Sequence, residues 1–400
     1  MRCLTFFLLV SAVALSVGCR TMDAERKQAV AKGLKIHFAL FAEQVVSPRE
    51  SDCPRRPLGP AFDYTGDFEA KLKYLDKAGV GTYWLYGFRG GEGTVRDIGL
   101  LKAAKAKLER YGKKAYIICE PLGHPCDEPP AGAPERAGPP GKGWRYRINA
   151  DGRTDWGTAC LDDVVLRDLV AATKAFRDAG FRKVFFDDDL RMGVGHGRVR
   201  WGDTSGGCFC DQCVAGFNRK HGTNYTRADL REIVMNPDKN PEALERWIAY
   251  NCDKITGFMK AVNLPGIQVG IMVMFGGNMN QGVDLAAIQK AVPDCMVRVG
   301  ESHFNNGIFD HPNAESAVGE GIDSHKAQVG DVSRLYSENT VCPWPEMRPD
   351  NMARKMLLEV RHGLRNIMLM PPQLLDSPAH WEAIAGALPK ALAIAAGEEL

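Results

Sequence analysis

Residues 161–190 read LDDVVLRDLVAATKAFRDAGFRKVFFDDDL, and the fold turns on how this run divides. From Leu161 to Ala179 apolar residues return at helical spacing, Gly180 offers the left-handed stop common at helix ends, and Lys183 to Asp188 is a short apolar run closing on acids. A strand apolar at consecutive positions is buried on both faces, as parallel strands covered by helices are.

The same alternation extends in both directions. Strands are expected over Lys35 to Ala42, Gly81 to Gly87, Lys114 to Glu120, Lys183 to Asp188, Gln268 to Phe275, Met296 to Ser302, Ser333 to Ser337 and Asn366 to Met370. Amphipathic segments lie between them: Asp67 to Ala78, Asp97 to Tyr111, Leu161 to Ala179, Pro241 to Val262, Asp284 to Val292, Asn351 to Gly363 and Pro378 to Ala395. Gly79, Gly112, Gly180 and Gly363 stand where four of these should end. Around Ser316 to Gln328 the pattern is broken by glycines and reads as a loop with one helical turn. Eight strands alternating with helices predict an α/β fold, a (β/α)₈ TIM barrel, with a doubly wound sheet as the rival topology. Pro121 to Gly143 and Arg191 to Gly207 read as long loops after the third and fourth strands. Loops at one end of such a barrel are where specificity is placed.

Met1 to Gly18 combine an early charge, Arg2, an apolar run from Leu4 to Leu15, and small residues before Cys19. That is the layout of an export signal over residues 1–19, and the run is too short to span a bilayer. The Gly18-Cys19 junction also looks like a lipoprotein cleavage site, so lipid anchoring at Cys19 is favoured over free secretion. A linker over residues 20–33 then leads into a barrel domain over residues 34–396. Basic and acidic residues nearly balance, 51 against 49, without a basic block, so nucleic acid is not an expected partner. Twelve cysteines are many for an exported chain unless they pair or hold metal.

Cys208-Phe-Cys-Asp-Gln-Cys213 is the sharpest local motif. Three thiolates this close can converge on one ion, and a fourth from elsewhere would complete the closed tetrahedron of structural Zn²⁺; Cys160 is the best candidate. The rival is a disulfide joining Cys160 to Cys208 or Cys213. Zinc is favoured because neighbours as close as Cys208 and Cys210 are poorly placed to bridge each other. Cys119, Cys252 and Cys295 read as buried thiols, and Cys53, Cys126 and Cys342 as loop cysteines that could form one disulfide.

Thr158-Ala-Cys-Leu-Asp-Asp-Val-Val-Leu-Arg167, Val184-Phe-Phe-Asp-Asp-Asp-Leu190 and Cys208-Phe-Cys-Asp-Gln-Cys-Val-Ala-Gly-Phe217 together resemble glycoside hydrolase family 42, the zinc-containing β-galactosidases. The likeness runs from Thr158 to Val273, under a third of the chain. It implies a zinc shared by Cys160, Cys208, Cys210 and Cys213. Glycoside cleavage needs two carboxyl groups flanking the bond, one to protonate the leaving oxygen and one to attack or activate water. Acids stand at strand ends at Glu120, Asp187, Asp188, Asp189, Glu301 and Glu338. The family carries Asn-Glu after its fourth strand, with the glutamate as acid/base, and a nucleophilic glutamate on its seventh. The resemblance therefore points to Asp189 as acid/base, Asp188 in the asparagine's place and Glu338 as nucleophile. Aspartate is one methylene shorter than glutamate, and an anion replaces a donor. Asp187 and Asp189 share one face of the strand, so both could look into the barrel mouth. A variant takes Asp187 as nucleophile with Glu301 or Glu338 as acid.

His37, Tyr86, Arg89, His303, Asn305, Asn306, Trp344 and Gln373 are expected to line a sugar site beside Glu120, Asp188 and Glu301. The function implied is an exported glycoside hydrolase, β-galactosidase-like, acting on an oligo- or polysaccharide, with zinc structural and no catalytic cofactor. The resemblance also allows association into an oligomer. Two alternatives remain at this stage: a non-catalytic carbohydrate-binding surface lipoprotein, and a metal-dependent hydrolase using the aspartate triplet.

Overall fold

The computed structural model describes residues 33–46, 68–89, 97–123, 143–187, 190, 207–273, 279–300, 303–342 and 344–398. In chain order these form β1 (Lys35–Leu40), α1 (Ala42–Val45), α2 (Phe68–Lys77), β2 (Val80–Arg89), α3 (Ile98–Arg110), β3 (Lys114–Glu120), β4 (Tyr146–Ile148), β5 (Thr154–Ala159) and α4 (Asp163–Asp178). Next come β6 (Lys183–Phe186), α5 (Asp211–His221), α6 (Arg227–Met235), α7 (Pro241–Val262), β7 (Gln268–Val273), α8 (Leu285–Ala291) and β8 (Met296–Val299). The chain then continues through α9 (Asn306–Phe309), α10 (Ala314–Val329), β9 (Leu335–Tyr336), α11 (Pro349–Arg361), β10 (Asn366–Leu369) and α12 (Pro378–Ala395).

Eight strands close into one barrel in the order β1-β10-β9-β8-β7-β6-β3-β2, every neighbour pair parallel. Because β1 pairs with both β2 and β10, the ring has no edge, and the doubly wound alternative is excluded. Alternate residues of each strand point inward. Trp84, Tyr86, Ile118, Phe185, Met296, Tyr336, Met368 and Met370 fill the lumen, and their neighbours in sequence pack outward under the helices.

Local chemistry explains most boundaries. Asp97, Asp162 and Asp284 cap α3, α4 and α8 by accepting backbone N–H groups in their first turns. The four expected stop glycines all adopt positive φ, Gly180 at 88°.

Three features depart from the sequence reading. The stretch around Ser316 to Gln328 is not a loop with one turn but most of α10, a 16-residue helix. Val318, Ile322, His325 and Val329 give it a buried stripe at helical spacing. Gly319 serves packing rather than a break, since a Cβ there would lie 2.5 Å from the His362 ring, while Gly321 faces open space. Second, β4 and β5 form an antiparallel hairpin outside the barrel, fixed by a buried Arg147–Asp155 ion pair at 2.6 Å. Third, α5, α6 and the first turns of α7 enclose a satellite core of Phe209, Phe217, Leu230, Ile233 and Trp247. No helix among the described residues is long and apolar enough to cross a membrane. The expected export signal, Cys19 and most of the linker lie outside the described residues.

Candidate active site

The carboxyl ends of β6, β8 and β9 meet at one buried charge cluster. Asp187 follows β6, and its backbone N–H donates to the Cys119 carbonyl at 2.7 Å, which prolongs the strand by one residue. It shares the inward face of Lys183 and Phe185 and is 5% exposed. Glu338 lies two residues beyond Tyr336 on the same inward face of the seventh barrel strand and is 3% exposed. Between them stands Arg298 of β8. Its Nη2 donates to Asp187 Oδ1 at 2.5 Å and to Glu338 Oε1 at 3.0 Å. Acids from the fourth and seventh barrel strands therefore share one nitrogen.

The surroundings of this guanidinium are otherwise apolar. The Met272 and Met370 sulfurs lie 2.8 and 3.1 Å from its terminal nitrogens, and Nε has no hydrogen-bond partner among the described residues. Burial works against its charge, but Asp187 and Glu338, with Tyr86 nearby, raise its pKa beyond the usual arginine value. A charged triad this deep is held by its own pairing, and removing one member leaves the others buried without compensation. Arg298→Met should therefore lose about 3–5 kcal/mol of unfolding free energy in urea. Unchanged stability would mean that water, rather than the guanidinium, satisfies the two acids.

The backbone carrying Glu338 is buttressed from α11. Lys355 Nζ donates to the Glu338 carbonyl at 2.6 Å, and the Asn339 amide donates to Glu359 at 2.6 Å and to Ser337 Oγ at 3.0 Å. Ser337 Oγ accepts the Met368 N–H at 3.0 Å, tying this segment to β10. Lys355 and Glu359 are both buried, so the polar network is enclosed by packing rather than by solvent.

Among the expected lining residues, Tyr86 is inward and close to the cluster, its ring 4.8 Å from Phe41. Glu120 ends β3, in register with Arg89 at the end of β2. His303 is the one described non-glycine residue at positive φ, 66°, and is half-buried. Asn305 caps α9 and donates to the Cys342 carbonyl at 3.1 Å, Asn306 accepts from the Arg348 N–H, and Trp344 lies against His380. These three are engaged in loop architecture. Gln373 sits in the turn after β10. His37 is a correction: it lies inside the lumen toward the strands' amino ends, 2% exposed, beside Trp84 and Tyr336. It is an inward residue of β1, but two positions in from the strand's start rather than at its carboxyl end. Asp188, Asp189 and Glu301 lie outside the described residues.

Arg298 was not foreseen, although MVRV offered a signal. A cation in the middle of an apolar strand buried on both faces needs a buried anion across the lumen.

The four cysteines converge as the motif implied. Cys160, Cys208, Cys210 and Cys213 are buried, unbridged thiols whose sulfurs all lie within 4.8 Å of one another. Cys160 Sγ is 3.8 Å from Cys210 Sγ and 3.6 Å from Cys213 Sγ. A regular tetrahedron with metal–sulfur bonds of about 2.3 Å has edges of about 3.8 Å, so the cage fits a metal ion. The hairpin is its platform: Cys160 N–H donates to the Arg145 carbonyl and Phe209 N–H to the Ile148 carbonyl, each at 2.8 Å. Lys254 Nζ is 3.3 Å from Cys213 Sγ and Arg145 Nη1 3.8 Å from Cys210 Sγ, placing two cations against thiolate charge. Cys119, Cys252 and Cys295 are buried free thiols, as expected. Cys342 is exposed, while Cys53 and Cys126 lie outside the described residues.

Fold and site define a (β/α)₈ barrel with a carboxylate–guanidinium–carboxylate centre at its carboxyl face and a four-thiol cage beside it. No family model matches the chain, and no curated protein does. Among solved structures, it is similar to the PgaB (BpsB) glycoside hydrolase domain from Bordetella bronchiseptica, at 13% identity and a TM-score of 0.51, covering 90% of this chain and 98% of that one. An α-amylase from Malbranchea cinnamomea matches at 12% identity and a TM-score of 0.47, over 91% of this chain and 77% of that one.

Proposed function

We propose that this protein is a glycoside hydrolase with Glu338 as nucleophile and Asp189 as acid/base. The observation that carries the reading is Asp187 and Glu338 converging on Arg298 at the carboxyl end of the barrel. A guanidinium favours the anionic form of a carboxylate beside it. Glu338 is thereby oriented as an anion, with Oε1 held and the carboxyl plane set to present its other oxygen to an anomeric carbon. Asp187, equally anionic, would stabilise the positive charge of an oxocarbenium-like transition state. Neither acid is suited to donate the leaving-group proton, and that role is assigned to Asp189, two residues on from Asp187 in the sequence. The fold shared with the PgaB glycoside hydrolase domain supports this reading.

Export through residues 1–19, lipid attachment at Cys19 and an extracytoplasmic glycan substrate belong to the same proposal. So does structural Zn²⁺ on Cys160, Cys208, Cys210 and Cys213. The test is a screen of aryl glycosides, β-galactosides first, and of plant and host glycans, run beside calorimetric binding to the same sugars. Turnover of any member supports the proposal. Binding without turnover would recast the protein as a carbohydrate-binding barrel, and neither would remove the sugar reading altogether.

A further inference from the structure

The opposite end of the lumen carries a second charged cluster that this chemistry does not use. Three barrel strands begin with lysine: Lys35 on β1, Lys114 on β3 and Lys183 on β6. Each shares the inward face of its strand with a lumen residue two positions on, His37, Tyr116 and Phe185. Lys183 Nζ lies 3.4 Å from Tyr336 Oη and 5.5 Å from the centre of the Tyr116 ring. Lys35 and Lys114 are exposed and Lys183 is half-buried, so the cluster opens to solvent at the amino-terminal mouth.

Among the described residues these ammonium groups meet a neutral acceptor, the Tyr336 hydroxyl, but no anion. None of the three lysines makes an ion pair among the described residues, and the charges bearing on Lys183 are Lys35 and Lys114. Beneath them, His37 Nδ1 accepts from Trp84 Nε1 at 3.3 Å, which leaves the ring proton on Nε2. That fully buried Nε2 makes no well-formed hydrogen bond. The Asn366 amide beside it gives its N–H groups to the Ser333 and Leu335 carbonyls. Burial, with the three lysines, outweighs the hydrogen bond to the Asn366 side chain and pushes the His37 pKa down to about 3, so the ring stays neutral. Burial, then Lys35 and Lys114, likewise lower the pKa of Lys183, the mark of cations crowded without a counter-charge.

We infer that the amino-terminal mouth of the barrel binds a small oxyanion of the phosphate class, held by Lys35, Lys114 and Lys183 over the Tyr336 hydroxyl. An oxyanion supplies several acceptor atoms and neutralises the crowded ammonium groups at once. The site is separate from the sugar chemistry, and its test does not depend on turnover.

The experiment is a calorimetric titration of the full chain with inorganic phosphate at ionic strength held constant with chloride, paired with thermal melts. One saturable site per chain is expected, with Tm rising as phosphate exceeds its Kd. Lys114→Met and Lys183→Met should each weaken binding roughly tenfold, as loss of a charge-assisted hydrogen bond does. Lys114 is exposed, so its variant tests the site even where Lys183→Met fails to fold. Absence of saturable heat at millimolar phosphate, or equal affinity in wild type and Lys114→Met, overturns the inference. A Tm rise that chloride reproduces in full does the same.

Discussion

Exchanging Glu338 for glutamine is expected to lower kcat by roughly 10²-fold or more on any glycan the protein turns over, with the fold intact. Glutamine keeps the size of the side chain and can still accept from Arg298 Nη2 through its amide oxygen, so the lumen should not collapse. What it loses is the anion proposed to attack. If KM changes little while kcat falls, the interaction removed is one made in the transition state rather than in substrate binding. Asp189→Asn should give a loss of similar size, but one that depends on the leaving group: an activated aryl leaving group needs no proton and should recover much of the rate. Asp187→Asn separates this assignment from its rival. Should that variant abolish turnover while Glu338→Gln retains wild-type kcat, the nucleophile belongs on β6 and not on β9.

Much of the barrel was legible because its strands obey one rule, apolar at most consecutive positions and bounded by turn residues. Lys114–Glu120, Pro241–Val262 and Pro378–Ala395 match the expected limits to the residue. Helix α10 was obscured because a glycine within a helical pattern looks like a break, and nothing local announces that the Gly319 face must admit His362. The β4–β5 hairpin was missed for a different reason: its stability comes from the Arg147–Asp155 pair and from the cysteine cage it supports, and neither is a periodic signal. At the site, strand-end position picked out Asp187 and Glu338, since a barrel brings those ends together whatever their spacing in the chain. Arg298 escaped because strand-end reasoning looks past the middle of a strand, yet its length lets a mid-strand guanidinium reach the same mouth. His37 errs the other way, an inward residue assigned to the mouth when it belongs to the lower lumen.

Loss of metal from the cysteine cage should unfold the satellite region before the barrel. Four thiolates around a divalent ion carry a net charge of −2, and Lys254 and Arg145 stand where they offset it. Without the ion, four buried sulfurs within 4.8 Å of one another must either protonate or separate. Hydrogen bonds from Cys160 and Cys208, helped by Lys254, hold the Cys213 thiol below its usual range, and Cys210 is lowered by its cysteine neighbours too, so two adjacent sulfurs favour the thiolate. The elements hung on the cage are the hairpin, which bonds Cys160 and Phe209 through its backbone, and α5, which starts at Asp211 directly after Cys210. Their satellite core of Phe209, Phe217 and Trp247 is too small to persist alone. Purified protein is accordingly expected to carry one zinc per chain, and Cys208→Ser or chelation to lower stability by several kcal/mol, toward the scale of about 10–16 kcal/mol seen when structural zinc folds a small domain. Limited proteolysis should then cut first between residues 207 and 240, while β7 to β10 remain protected. Metal analysis finding no bound ion, or a Cys208→Ser variant that melts with wild-type Tm, would show that packing alone holds the cage. A reductant is the complementary control, because a cage of thiolates is indifferent to it, whereas a staple made by bridging Cys160 to Cys208 or Cys213 would open.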